Sequence, residues 1–167
     1  EIAMADFHLL PGDTPDRVSA LAPGELIVAL RLPAGADRFA GHSRYLKVRD
    51  RTSFAFATAS AAAGLRMEDG RIAEARLALG AVAAKPWRVA EAEEALTGQT
   101  PDADLFDRAA AIAMAGAEPG DDLAWKIDLA RKTAVRALRV AAAGTPARMP
   151  ALPASVFAEP AGEIAHA

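Results

Sequence analysis

The chain has 167 residues, enough for one domain, or one domain with appendages, to bury a core of its own. Its net charge of −3 sets aside nucleic acid and an anionic membrane surface as partners, and without cysteine it holds neither a disulfide nor an iron–sulfur cluster. Apolar residues make up 52% and aromatic ones only 5%, with alanine dominating the apolar count, so closely packed helices are expected rather than a large aromatic core. There is no apolar run long enough to span a bilayer and no secretory signal. The sequence opens on Glu1 rather than methionine, which reads as a fragment or a processed product.

Taken in order, Glu1 to Leu10 reads as a short strand or an arm, and Leu10 to Pro15 as a loop with two prolines and a glycine. Ala22-Pro23-Gly24 makes a turn into Glu25 to Leu32, where Leu26, Val28, Leu30 and Leu32 alternate as on one face of a strand. Pro33 ends that run, and Ala34 to His42 reads as a loop. Three strand-like runs follow: Tyr45 to Arg49, Phe54 to Met67 and Ile72 to Val82. In the first, Tyr45, Lys47 and Arg49 share one side and Leu46 and Val48 the other. Asp69-Gly70 predicts a type I′ turn, which sets Met67 opposite Ile72 and Ala62 opposite Leu77. The second run is almost all small residues, a floor on which helices can pack closely.

Pro86 predicts the first turn of a helix with Val89, Ala92 and Leu96 on its buried face and Gly98 as its stop. Thr100-Pro101-Asp102 predicts a second helix, capped by the threonine hydroxyl, with Leu105, Ala109, Ile112 and Ala113 inward. Asp121 or Asp122 is expected to cap a third and longest helix reaching Ala143. Leu123, Ile127, Ala130, Ala134 and Leu138 form its apolar stripe, opposite Lys126, Arg131, Lys132, Arg136 and Arg139. Gly144-Thr145-Pro146 stops it, and the proline- and alanine-rich residues 145–167 read as an extended or disordered tail.

Residues that would carry chemistry unaided are scarce. His8, His42 and His166 stand at no metal-ligand spacing, and no nucleophile elbow, Walker loop or dinucleotide fingerprint occurs. The acidic pairs Glu93-Glu94 and Asp121-Asp122 read as solvated helix face and helix cap. On residue chemistry alone, the chain is an α+β domain with no assigned activity.

Five ordered segments resemble the medium, flavin-carrying subunit of the molybdenum hydroxylases: DFHLLPGDTP, LAPGELIVALRLP, RYLKVRDRTSFAFATASAAA, GRIAEARLALGAVAAKPWR and AWKIDLARKTAVRAL. That family includes xanthine dehydrogenases, carbon monoxide dehydrogenases and aldehyde oxidoreductases, and the likeness runs from about Ala5 to Ala143. It implies a three-stranded antiparallel sheet covered by a three-helix bundle, with an N-terminal arm and strand from a preceding FAD domain. Residues 1–33 would be the end of that domain or a connecting arm, and 34–144 the C-terminal flavoprotein domain. By resemblance, Lys47 lies beside the FAD isoalloxazine ring and Ile27 packs against it, while Tyr45 and Arg49, on the Lys47 side, border the same site or are simply solvated. A lysine ammonium near the ring's N1/C2-oxygen edge stabilises negative charge on the reduced ring. The bland alternative leaves Lys47 in water and Ile27 in ordinary core.

The FAD site is only partial, because the family's phosphate-binding glycine loops are not in this sequence. The implied role is closing the flavin site and aiding assembly in an oxidoreductase complex, where electrons pass from molybdenum through iron–sulfur clusters to FAD. The molybdenum cofactor and [2Fe–2S] clusters belong to a large and a small partner subunit. The complex is expected in the cytoplasm, or in the periplasm if an exported partner carries it. The competing expectation is a non-catalytic interaction domain on the same scaffold that binds no cofactor.

Overall fold

The computed structural model of the chain describes residues 1–146. Its centre is an antiparallel sheet of β1 (Ser43–Val48), β2 (Ala59–Glu68) and β3 (Arg71–Gly80), in that spatial order. Helices α2 (Ala90–Leu96), α3 (Ala103–Met114) and α4 (Ala124–Ala142) follow in the chain. The architecture is α+β, as expected. Helix α4 packs on β1 and β2, α2 packs on β3, and α3 packs on both α2 and α4.

The β2–β3 hairpin turns at Asp69 and Gly70, with φ of 49° and 73°, the two positive values a type I′ turn needs. Met67 pairs with Ile72 as expected, but Leu77 pairs with Ala63 rather than Ala62. The ladder slips between Arg66 and Met67, leaving Ala73 as an extra, bulged residue. This bulge resolves a parity conflict in the sequence. Ile72 is five positions from Leu77, so a regular strand would send them to opposite faces, yet both are buried.

Leu65, Ala63 and Ala61 of β2 therefore meet Ala75, Leu77 and Leu79 of β3 on the helix-covered face. Ala130, Ala134, Ala137, Leu138 and Ala141 of α4 join the same core, so alanine faces alanine across much of the sheet–helix contact. Absent large side chains let α4 approach closely, while fully buried Leu65, Ile72, Leu79, Leu96 and Leu138 supply the bulk. Burying each such side chain contributes roughly 1.5–3 kcal/mol.

Several expected boundaries move. β2 starts at Ala59 rather than Phe54, and Phe54 itself has a φ of 48°, which a strand excludes. Pro86 does not open a helix, because Trp87 exchanges backbone hydrogen bonds with Leu79 at 2.9 and 2.7 Å and donates its indole N–H to the Ala113 carbonyl at 2.7 Å. Those bonds hold residues 86–89 extended, and α2 begins at Ala90. For α3 the cap is Asp102, whose carboxylate accepts from the Leu105 N–H at 2.7 Å, not Thr100. Neither Asp121 nor Asp122 caps α4, which starts after Leu123 without a side-chain cap. Ala34 to His42 is mostly a 3-10 helix, Ala36–His42.

Glu93, read from sequence as solvated, is buried. Its carboxylate accepts from the Leu77 N–H at 2.9 Å and from Arg88 through two bonds of 2.6 Å. It ties α2 to β3. The Arg88 guanidinium is held above its ordinary range chiefly by that hydrogen bond to Glu93, against the opposing effect of burial.

The first 35 residues contrast with this core. One helical turn, α1 (Met4–Phe7), is followed by a single bridge between His8 and Ser19. The strand expected over Glu25 to Leu32 does not form: Leu26, Val28, Leu30 and Leu32 are all largely exposed, and no described strand lies alongside to pair with them. Of the expected tail, residues 147–167 lie outside the described residues.

Candidate functional site

The sheet has a second face, opposite the helices, and it carries the residues singled out from the sequence. Cross-strand pairing sets three rows there: Ser43–Gly64–Arg76, Tyr45–Ala62–Ala78 and Lys47–Ser60–Gly80. Tyr45 and Lys47 are exposed on the edge strand, and beside them the surface is built from serine, alanine and glycine. The result is a shallow, smooth platform with an aromatic ring and an ammonium along one margin.

One end of the platform is closed by charge. Phe39 from the 3-10 helix sits over Gly64, whose absent Cβ would lie 3.4 Å from the ring. Arg38 and Arg76 lie over the same ring at 5.0 and 5.6 Å from its centroid. Glu74 binds Arg38 through two hydrogen bonds of 2.7 and 2.9 Å and also pairs with Arg76. The bond to Arg38 holds the Glu74 carboxyl below its ordinary range, aided by the nearby Arg76 and Arg66 charges, and the same bond raises Arg38. All of these groups meet water, so the cluster organises the rim more than it stabilises the fold.

At the other end, residues 49–58 connect β1 to β2, closed at the base by the Thr58 N–H donating to the Val48 carbonyl at 2.8 Å. Phe54 and Phe56 project from this loop almost fully exposed.

Ile27 is not brought onto the platform. It lies half exposed in the N-terminal segment, on an apolar groove shared with Ile2, Met4, Phe7 and Leu21. Ser60, which pairs with Lys47, and Gly80, which pairs with Ser60, were not singled out from the sequence. The signal for them was the position of Lys47 relative to the hairpin register, and the bulge at Ala73 hid it.

By the resemblance, this face would meet part of a flavin. Small side chains admit a planar ring, and Lys47 offers a cation at its edge. Among the described residues no cradle for the pyrophosphate forms: the glycines with positive φ, at 12, 24, 35, 70, 98 and 144, stand at separate turns and helix ends. Among the described residues no group of three histidine or acidic side chains is placed to hold a metal ion, and no helix is long and apolar enough to cross a membrane.

Comparison with known proteins shows the chain's family. The chain is 43% identical over 142 residues to the aldehyde oxidoreductase FAD-binding subunit PaoB of Escherichia coli, covering 85% of this chain and 41% of that protein. It is 35% identical over 104 residues to the carbon monoxide dehydrogenase medium chain of Afipia carboxidovorans, covering 62% of this chain and 35% of that one. It thus spans about two fifths or less of these relatives. Among solved structures, reconstituted CO dehydrogenase from Oligotropha carboxidovorans superposes with a TM-score of 0.64 at 31% identity over 77% of this chain and 45% of that one. Quinoline 2-oxidoreductase from Pseudomonas putida 86 gives 0.58 at 32% identity, over 62% and 38%. Residues 44–148 match the CO dehydrogenase flavoprotein C-terminal domain, and the chain belongs to that family, the C-terminal domain of molybdenum hydroxylase FAD-binding subunits.

Proposed function

We propose that the platform bearing Tyr45 and Lys47 is one wall of a flavin site, completed by a preceding FAD-binding domain. On this reading residues 1–33 are the end of that domain or the arm that reaches it, with residues 34–144 as the C-terminal domain. The apolar residues of 25–32 then find their missing strand partner in the preceding domain, and Ile27 turns toward the ring. The three helices cover the opposite face of the sheet as a bundle. The whole serves a hydroxylase or dehydrogenase in which a molybdenum-binding large subunit and a [2Fe–2S] small subunit supply electrons, in the cytoplasm or, with an exported partner, the periplasm.

When bound, FAD supplies the two-electron chemistry that accepts those electrons and hands them on. This chain's residues position and tune. The small-residue floor excludes water from one side of the ring, and Lys47 sets a positive charge at its polar edge. That charge stabilises the extra electron density of the reduced ring and raises the potential. The observation that carries the reading is Lys47 exposed at the margin of a smooth sheet face, in a chain whose relatives are FAD-binding subunits.

The test is Lys47→Met in the complete subunit, followed by spectroscopic redox titration. Loss of a charged donor worth roughly 1–3 kcal/mol lowers the midpoint by some tens of millivolts, since for two electrons about 1.4 kcal/mol corresponds to roughly 30 mV. An unchanged potential with flavin still bound would return Lys47 to solvent. The competing reading, an interaction domain without cofactor, draws on the missing pyrophosphate cradle. For the chain on its own, both readings predict a folded protein that releases FAD on gel filtration, so the complete subunit decides between them.

A further inference from the structure

The row containing Lys47 has two further features, a hydroxyl without a protein partner and a glycine opposite it. Ser60 makes no side-chain hydrogen bond to another described residue, and its hydroxyl is not one of the buried unpaired groups, so it keeps contact with solvent. Its inward neighbours on the same strand, Ala59 and Ala61, show that alanine suits this strand well. Gly80, opposite Ser60, closes β3 with the least favourable strand residue. Its φ is not positive, so the backbone does not require glycine there. A Cβ at position 80 would lie 2.5 Å from the Ser60 Oγ, so the hydroxyl would have to turn away from its present position.

Both features meet at one point. Gly80 leaves the gap into which Ser60 turns, and the hydroxyl is thereby set on the platform face, in the row that Lys47 begins. We infer that Ser60 is a second polar contact to the bound ring, and that Gly80 is its positioning residue. The inference rests on the flavin-wall reading and deepens it. A planar heteroaromatic ring presents carbonyl oxygens and ring nitrogens in its own plane, so an ammonium and a hydroxyl on adjacent strands can each meet one of them. The ring then satisfies the hydroxyl that the protein leaves unpaired. Lys47 acts through charge on the reduced ring, whereas Ser60, being neutral, acts on retention of either form.

The experiment uses the complete subunit stripped of flavin and titrated with FAD, following fluorescence, for wild type, Ser60→Ala, Gly80→Ala and the double variant. Ser60→Ala removes one hydroxyl from a strand already rich in alanine, so thermal unfolding should stay near the wild-type temperature while FAD affinity falls about fivefold. Gly80→Ala displaces the hydroxyl and produces a similar loss. Added to Ser60→Ala, it costs little further, because the Oγ it would strike is gone. Unchanged FAD affinity in Ser60→Ala overturns the Ser60 contact, and full additivity in the double variant overturns the role of Gly80. If Ser60→Ala is silent while Lys47→Met still lowers the potential, this inference fails and the flavin wall stands. If both are silent with flavin bound, the wall reading fails as well.

Discussion

Two stretches of this chain look alike as sequence and behave differently as structure. Leu26, Val28, Leu30 and Leu32 alternate as regularly as the strands of the sheet, yet they are largely exposed, while Ala61, Ala63, Leu65, Leu77 and Leu79 are buried. The difference is partnership. A strand is made by the ladder beside it and the layer beneath it, and β2 has β1, β3 and α4. Residues 25–32 have no such neighbours among the described residues. Apolar alternation specifies what a segment will do when an edge is offered; it does not supply the edge.

Core and arm substitutions should sharpen this contrast most. Leu138→Ala removes a fully buried side chain between α4 and the sheet, and should lower unfolding free energy by roughly 2–5 kcal/mol in denaturant titrations. Leu30→Ala, at 77% exposure, should change it by less than ~0.5 kcal/mol. A comparable loss from Leu30→Ala would mean that the arm is docked on the core in solution.

Glu93→Gln comes next. It keeps the shape but weakens the link from α2 to the Leu77 N–H and leaves Arg88 without its carboxylate, for an expected loss of about 1–3 kcal/mol by the same titration. A neutral result would return Glu93 to the solvated helix face. Gly70→Ala forces a side chain into a φ of 73° and should cost about 1–2 kcal/mol, read as a lower thermal midpoint. Were it silent, the hairpin would have another turn available.

The smallest effect is one of pH. Glu74 has a depressed folded pKa, so its contribution is present above its ordinary value of 4.5 and is lost as pH falls through the lower folded value. Wild type and Glu74→Gln should therefore differ in thermal midpoint at neutral pH and converge in acid, with the gap narrowed by salt. A gap that widened in acid would reverse the sign of the argument.

What was legible in the sequence follows the same division. The alternation of β1, the Asp69-Gly70 turn and the glycines that stop α2 and α4 are local signals, and the structure keeps all of them. Tyr45 and Lys47 were placed on a common face by period alone. Non-local facts were harder. Trp87 is extended because it bridges Leu79 and reaches Ala113, neither of which is near it in sequence. Glu93 is buried because the Leu77 N–H and Arg88 converge on it. The bulge at Ala73 was readable in principle, since Ile72 and Leu77 fall on opposite parities. Unrecognised, it shifted the register by one residue and concealed Gly80 beside Ser60.

The central claim is that flavin lies against the Lys47 face, and competitive acylation of lysines tests it most directly. The complete subunit, with and without FAD, is treated with a trace amine-reactive ester, and labelling is quantified by mass spectrometry. Lys132, exposed on α4 beside Asp128, serves as an internal reference. The account predicts that FAD slows labelling of Lys47 severalfold and leaves Lys132 unchanged. Equal labelling of Lys47 in both forms, with FAD stoichiometrically bound, would contradict it.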